Sequence, residues 1–152
     1  MLKQMAMVLV ALTLVTGLSI GAAGCSKDDG WSSVPEDHPD IVAARQEAKD
    51  SFGEFLTLLK ARRPMTAYTV DVLYEEDGKS EYLTLDVLSA NETEITGTIV
   101  GYPKQVKKYS GEEVTAQTAN LSDWRVETPE GDVRGGFVSD VRARLQRAGT
   151  GG

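Results

Sequence analysis

The hydrophobic period of the chain changes at Pro64, and this change constrains the fold more than any other feature. The positions that follow alternate with the two-residue period of a strand that buries one face, at Tyr68, Val70, Val72 and Tyr74. Asp77 and Gly78 then form a typical tight-turn pair. The alternation resumes on a return strand at Leu83, Leu85 and Val87. The pattern predicts a β-hairpin.

Further segments downstream have strand-like composition. Residues 94–102 (EITGTIVGY) are rich in Thr, Ile and Val, and Gly101 and Pro103 end this segment. Shorter strands are predicted at residues 114–118, 124–128 and 133–138. Residues 139–147 fit either a short terminal helix that begins at Ser139 or a continuation of strand.

Before Pro64 the pattern is helical. Turning the chain by about 100° per residue brings the apolar positions onto one stripe, at Ile41, Ala44, Ala48, Phe52, Phe55, Leu56 and Leu59. Pro39 and Asp40 suit the start of a helix, and Lys60 suits its end. One helix followed by strands predicts an α+β fold, in which an N-terminal amphipathic helix packs on a curled, mainly antiparallel sheet of about five or six strands. The pattern also allows the sheet to close into a barrel.

A leader precedes this domain. Lys3 is followed by an uncharged stretch at residues 5–20, and the small residues 21–24 stand directly before Cys25. This arrangement resembles the lipobox of bacterial lipoproteins, in which the cysteine is acylated on sulfur and becomes the new N-terminus. Ala22 stands where that motif most often has Leu. The resemblance implies a lipid on Cys25, whose thiol is the nucleophile that such a modification needs.

Two other interpretations of the leader also export the domain. An ordinary signal peptidase would cut at the same small residues and release a soluble protein, whereas an uncut leader would remain as a membrane anchor. A membrane span needs roughly 20 apolar residues, which this stretch reaches only by counting Gly, Ser and Thr. We therefore expect a lipid-anchored protein of the cell envelope on the extracytoplasmic side. Ser26 rather than Asp follows the cysteine, which favours the outer membrane facing the periplasm in a two-membrane bacterium.

Composition divides the chain into four parts. We predict a signal peptide at residues 1–24, a flexible acidic tether at 25–39, a single α+β domain at 40–148 and a disordered tail at 149–152. The tether contains His38, the only histidine in the sequence. Because Cys25 is the only cysteine, no disulfide forms within the chain, and the domain must be stable through its hydrophobic core.

The charge balance constrains the partners. Without the leader, the chain has 15 Lys and Arg against 23 Asp and Glu, a net charge of −8. This balance disfavours nucleic acid, where Lys and Arg neutralise phosphates, and it disfavours an anionic lipid surface. Membrane attachment therefore depends on the lipid, and a protein partner with a basic surface is favoured electrostatically. Nothing in the sequence sets the oligomeric state.

Three elements between residues 70 and 138 carry a family resemblance. They are residues 97–103 (GTIVGYP), residues 111–114 (GEEV), and residues 121–124 (LSDW) followed by 135–137 (GGF). In this order and spacing the chain resembles the YegJ-like proteins, a bacterial family defined by a domain of unknown function (DUF2314). The resemblance implies the α+β fold and includes the preceding helix, but it implies no activity.

Ser122, Asp123 and Trp124 form the most distinctive local cluster, and two interpretations are open. As a ligand site, the Asp beside an aromatic ring would form one wall of a polar pocket. As a structural element, Ser and Asp would fix a turn by bonding backbone N–H groups while Trp entered the core. The structural interpretation is favoured because no neighbouring residue has a catalytic pattern.

Gly135, Gly136 and Phe137 complete the candidate set. The two glycines permit close approach of a ligand, but a bulge or sharp bend in a strand is the commoner use of such a pair. They lack the strand-turn-helix context of a phosphate-binding loop. Acidic clusters at residues 28–29, 75–77 and 112–113 lack the spacing of a calcium loop, and we interpret them as solvated turns.

These observations predict a binding protein rather than an enzyme. With His38 in the tether and Cys25 acylated, neither a zinc site nor a histidine-based nucleophilic triad is expected, and no cofactor is indicated. The leading hypothesis is a non-enzymatic, lipid-tethered binding or scaffolding domain. An inhibitor or immunity-type protein that binds a basic partner is the alternative, and a small envelope hydrolase is a second one.

Overall fold

The computed structural model describes residues 34–149, which contain three α-helices and one six-stranded sheet. The strands lie in the order β4-β3-β2-β1-β5-β6, and each neighbouring pair is antiparallel. The α+β class predicted from the sequence is confirmed. The elements are α1 (Pro39–Asp50), α2 (Phe52–Lys60), β1 (Ala67–Glu76), β2 (Lys79–Ala90), β3 (Glu94–Val100), β4 (Glu113–Gln117), β5 (Leu121–Glu127), β6 (Val133–Gly135) and α3 (Phe137–Gly149).

The predicted hairpin is confirmed as β1 and β2. Asp77 and Gly78 have φ values of 51° and 74°, and positive φ at both central residues is what a type I′ turn requires. The turn pairs Glu76 with Lys79 and sets the register of the whole hairpin. The alternate apolar positions of both strands therefore lie on one buried face.

The sheet does not close into the barrel that the sequence pattern allowed. The sheet is open, with β4 and β6 as its two edges. A barrel needs edge strands that pair along their length. Strand β6 has only three residues before the chain turns into α3, so it offers too short an edge for closure.

The structure divides the predicted helix into α1 and α2 at Ser51. The Ser51 hydroxyl donates a hydrogen bond to the carbonyl of Glu47 at 2.7 Å, a back-bond of the kind that bends helices. The residues of the apolar stripe belong to two separate hydrophobic clusters. Ala48, Phe52 and Phe55 join the buried face of the sheet, while Ile41 and Ala44 pack with Val34 and Val138.

The end of the domain differs from its predicted form. The last strand was predicted over residues 133–138, but β6 ends at Gly135, and α3 occupies the segment that fitted either helix or strand. Gly135 and Gly136 have φ values of 74° and 81°, which turn the chain out of the sheet. Gly149, predicted in the tail, is the last residue of α3, and residues 150–152 lie outside the described range.

Residues 34–38, predicted as part of the tether, pack on the domain. Val34 is buried, and Glu36 forms ion pairs with Arg45 at 2.8 Å and Arg142 at 2.6 Å. His38 is the N-cap of α1, where its Nδ1 accepts the backbone N–H of Asp40 at 3.2 Å. Pro39, the last residue of the predicted tether, begins α1, whereas residues 25–33 of the tether, with Cys25, and the signal peptide lie outside the described residues.

Candidate functional site

Asp123 lies at the junction of β5 and α3. Its side chain is 3% exposed, and its carboxylate accepts four backbone N–H groups. One is its neighbour Trp124 at 3.0 Å. The others are the first residues of α3, namely Phe137 at 3.0 Å, Val138 at 3.1 Å and Ser139 at 3.0 Å. The N–H groups of these last three residues have no partner within α3, so Asp123, a residue of β5, caps the start of this helix.

A register shift in β5 places Trp124 in the core. Asp71 pairs with Asp123 and Val72 pairs with Leu121, so the pairing of β5 is irregular at Ser122. Trp124 is 1% exposed, and its ring lies 5.7 Å from Phe55 and 5.6 Å from Phe137, centroid to centroid. Its indole N–H donates to the Ala48 carbonyl at 3.1 Å and to the Ser51 hydroxyl at 3.0 Å. Trp124 therefore joins the helix break to the sheet.

Gly135 and Gly136 allow β6 and α3 to approach this tryptophan. A Cβ atom added at Gly135 would lie 2.1 Å from the Trp124 carbonyl oxygen and 2.6 Å from the indole ring. The N–H of Gly136 donates to that same carbonyl at 2.8 Å. Phe137 then packs edge-on to the indole, with 72° between the ring planes. The absence of a side chain at Gly135 therefore leaves space for the indole ring of Trp124.

Ser122 is bound by the helical layer. Arg45 on α1 donates from Nε to the Ser122 hydroxyl at 3.1 Å, and its guanidinium also forms the ion pair with Glu36. The structure thus brings all six predicted residues into one assembly, and the contacts described above engage them with the protein's own backbone, rings and side chains.

A second buried carboxyl lies beside this assembly. Asp71 accepts the hydroxyl of Thr84 at 2.6 Å, and Asp71 and Asp123 both line a cavity of about 180 Å³. Burial raises the pKa of Asp71 above its ordinary value, against the opposing effect of the Thr84 hydrogen bond. Burial also raises the pKa of Asp123, and the nearby Asp71 adds to this while the backbone N–H groups oppose it. This pair was not predictable from the sequence, because Asp71 occupies an ordinary strand position.

The second notable region is the loop between β3 and β4, residues 101–112. Glutamate side chains hold its backbone. The Glu81 carboxylate accepts the N–H groups of Lys104 at 2.9 Å and Gln105 at 2.8 Å, and Glu76 accepts that of Lys107 at 2.7 Å. Burial acts to raise the pKa of Glu81, but these N–H groups outweigh it, so the pKa is lowered. The charged form of Glu81 therefore stabilises the loop.

Lys108 and Val106 fix the other half of this loop. The Lys108 ammonium lies 3.1 Å from Glu112 and 3.2 Å from Glu76, and its hydrogen bonds to these two carboxylates raise its pKa. Val106 is buried in the main core cluster. The loop is consequently tied to β1, β2 and the core at several points, although it contains no helix or strand of its own.

Two tyrosines project from this loop. Tyr102 is 87% exposed and Tyr109 is 76% exposed, the two most exposed aromatic side chains of the described residues. Tyrosine on a braced loop is a typical arrangement of a protein-binding surface, because little conformational entropy is lost when it binds. Sequence reasoning recorded residues 97–103 and 111–114 as motifs, but it assigned no role to either tyrosine.

A family model described as "Uncharacterized protein conserved in bacteria (DUF2314)" matches residues 38–147. The chain belongs to this family. The matched range includes both the Asp123 assembly and the braced loop, so these two features are parts of the DUF2314 domain. Comparison with the curated proteins and with the solved structures found no match.

Within residues 34–149, no group of three or more His, Cys, Asp or Glu side chains is arranged to hold a metal ion. Within the acidic clusters at 75–77 and 112–113, the side chains of Glu76, Asp77 and Glu112 hold the loop and its lysines. None of the helices in this range has the length and apolar character needed to cross a membrane.

Proposed function

We propose that this chain is a non-enzymatic, lipid-anchored binding domain of the bacterial cell envelope, and that it contacts a protein partner through the loop at residues 101–112. The observation that carries this proposal is the exposure of Tyr102 and Tyr109 on a backbone held by Glu76, Glu81 and Glu112. Exposed aromatic side chains on a rigid support are the residues that most often dominate binding energy at protein interfaces.

The charge of the domain supports a protein partner with a basic surface. Beyond the leader, acidic residues exceed basic ones by eight. Two of the three lysines in the loop, Lys107 and Lys108, are already paired with Asp77, Glu76 and Glu112. The excess negative charge would speed encounter with a cationic protein, while the two tyrosines would supply contact area.

The contacts of Asp123 support a structural role for this residue over a catalytic one. A catalytic carboxylate exchanges protons or attacks a substrate, so it needs an oxygen free to meet the reacting group. Both oxygens of Asp123 instead hold backbone N–H groups at the start of α3. We therefore assign Asp123 to the fold.

The leader supports the envelope location, and its test is direct. We expect Cys25→Ser to give an uncleaved precursor that incorporates no lipid, because a hydroxyl does not replace the thiolate as acyl acceptor. Metabolic labelling with a fatty-acid analogue, followed by gel analysis and membrane fractionation, measures this. Equal labelling of the variant and the parent protein would contradict the lipid anchor and leave the loop assignment standing.

Capture from the membrane fraction of the source bacterium tests the binding face. We expect the double variant Tyr102→Ala, Tyr109→Ala to lose at least about tenfold in recovery of the captured partner, the loss typical of removing two aromatic contacts at an interface. Its melting temperature should stay close to that of the parent, because both side chains are exposed.

Met65→Ala is the matched control for this experiment. Met65 is 88% exposed, close to the 87% of Tyr102, but it lies two residues before β1, at the opposite end of that strand from Glu76, which holds the loop. The control should recover the partner at the level of the parent protein. If the double variant captures as much partner as Met65→Ala does, the loop is not the binding face.

A further inference from the structure

A cavity of about 470 Å³ lies at the opposite end of β1 from the tyrosine loop. Its walls come from the end of α2 and the segment after it, the start of β1, and the β5–β6 hairpin. Tyr68 contributes to this cavity, whereas Glu76 holds the loop, and the two residues are separated by roughly 25 Å along the strand. This volume falls within the range of small-molecule sites.

Two arginines line the cavity. The guanidinium of Arg63 has no ion pair or hydrogen bond with any side chain in the described part of the chain. Arg134 pairs with Glu54 at 3.3 Å, but both side chains are about half exposed or more, so this pair is weak and exchangeable. Asp132 is the single acidic residue of the lining, so the lining residues together carry one net positive charge, while Glu54 faces Arg134 from outside the lining.

A hydroxyl group of the lining is also unsatisfied. Thr66 Oγ1 is buried, and it has no hydrogen-bond partner within residues 34–149. Buried polar atoms in folded proteins nearly always have a partner, so this hydroxyl is available to a ligand group once the Thr66 side chain turns towards the cavity. Thr66 lies between Arg63 and Tyr68 in the chain, and all three residues line the cavity.

The rest of the lining is mainly apolar, and Thr128 is its other hydroxyl-bearing residue besides Tyr68. Leu58, Val126 and Val133 face the cavity together with the ring of Tyr68. A ligand that fits this lining carries one negative charge beside the arginines and a hydrocarbon body along the apolar wall. The single net positive charge suits a carboxylate, whereas a phosphate with close to two charges would be under-neutralised.

We propose that this cavity binds a small amphipathic carboxylate, held by Arg63 and Arg134 with the Thr66 hydroxyl as an additional donor. The carboxylate accepts N–H groups from both guanidinium ions, and the apolar part of the ligand lies against Leu58, Val126 and Val133. This site is separate from the tyrosine loop, so either assignment stands without the other.

Nuclear magnetic resonance titration of the full chain in detergent micelles tests this, with benzoate and hexanoate as probes. We expect saturable shifts of the backbone amide signals of Arg63, Thr66 and Val126. Benzamide, the uncharged counterpart of benzoate, should bind at least about tenfold more weakly than benzoate. Arg63→Gln and Arg134→Gln should each lower the affinity for benzoate by about tenfold, and Thr66→Val should lower it by a smaller factor. The spectra themselves report whether each variant is folded.

Arg144→Gln is the matched control. Arg144 is 62% exposed and makes one ion pair, to Asp40 at 3.0 Å, which resembles Arg134 in both respects, but it does not line the cavity. Benzoate should bind this variant as it binds the parent protein. The proposal is overturned if neither carboxylate gives saturable shifts, if benzamide matches benzoate, if inorganic phosphate binds more tightly than both, or if Arg144→Gln weakens binding as much as Arg63→Gln.

Discussion

Replacing Trp124 by Ala is expected to lower the free energy of unfolding by about 3–5 kcal/mol, the range for truncating a large buried aromatic side chain. Trp124 is 1% exposed, and its ring contacts both Phe55 on α2 and Phe137 on α3. Its removal opens a cavity where the two helices meet the sheet. It also leaves the Ala48 carbonyl without the indole N–H that it accepts. Urea denaturation of the chain that begins at Ser26, followed by circular dichroism, measures the change.

Two companion variants separate the causes of this loss. Trp124→Phe keeps an aromatic ring but removes the indole N–H, so we expect a smaller loss of about 1–3 kcal/mol. Leu88→Ala removes an apolar side chain that is 46% exposed, and it should change stability by less than about 1 kcal/mol. A Trp124→Ala variant as stable as Leu88→Ala would mean that the ring does not fill the core.

The β1–β2 hairpin was predictable because the residues that specify it lie close together in the sequence. The period of two from Tyr68 to Val87, with Asp77 and Gly78 between its halves, specifies the hairpin without any distant contact. The helix break at Ser51 was not predictable in this way. It depends on a hydroxyl that bonds Glu47 in its own helix and Trp124 in a strand far along the chain. A hydrophobic pattern does not contain such a tertiary contact.

The candidate sites also differ in how far the sequence predicts them. The sequence singled out Ser122, Asp123 and Trp124 because their chemistry is unusual at neighbouring positions, and the structure brings them together with Gly135 to Phe137. The tyrosine loop and the arginine cavity were missed. Exposed Tyr102 and Tyr109 resemble any loop tyrosine in sequence, and the glutamates that brace them come from two other strands. Arg63 and Arg134 are far apart in the chain and meet only through the fold.

Replacing Asp123 by Ala is expected to destabilise the domain by about 3–4 kcal/mol, which combines the loss of a helix cap with buried N–H groups left unpaired. Four backbone N–H groups lose their acceptor together, and three of them begin α3. Asp123→Asn keeps the volume but replaces one accepting oxygen with an NH₂ donor, so we expect roughly half of this loss. Urea denaturation at pH 7 measures both.

Asp71→Asn is the matched control, because Asp71 pairs with Asp123 across β1 and β5 but accepts one side-chain hydrogen bond, from Thr84. Burial raises the pKa of Asp71 above its ordinary value of 3.8, so the folded state binds this proton more tightly than the unfolded state. That preference lowers stability as the pH rises from about 3.8 through the raised pKa. Asparagine carries no charge and still accepts from Thr84, so Asp71→Asn should be at least as stable as the parent protein at pH 7, with the advantage disappearing near pH 4.

If Asp123→Asn is instead fully stable at pH 7 but no longer captures the partner, Asp123 is part of the binding site, and its assignment as a helix cap is wrong.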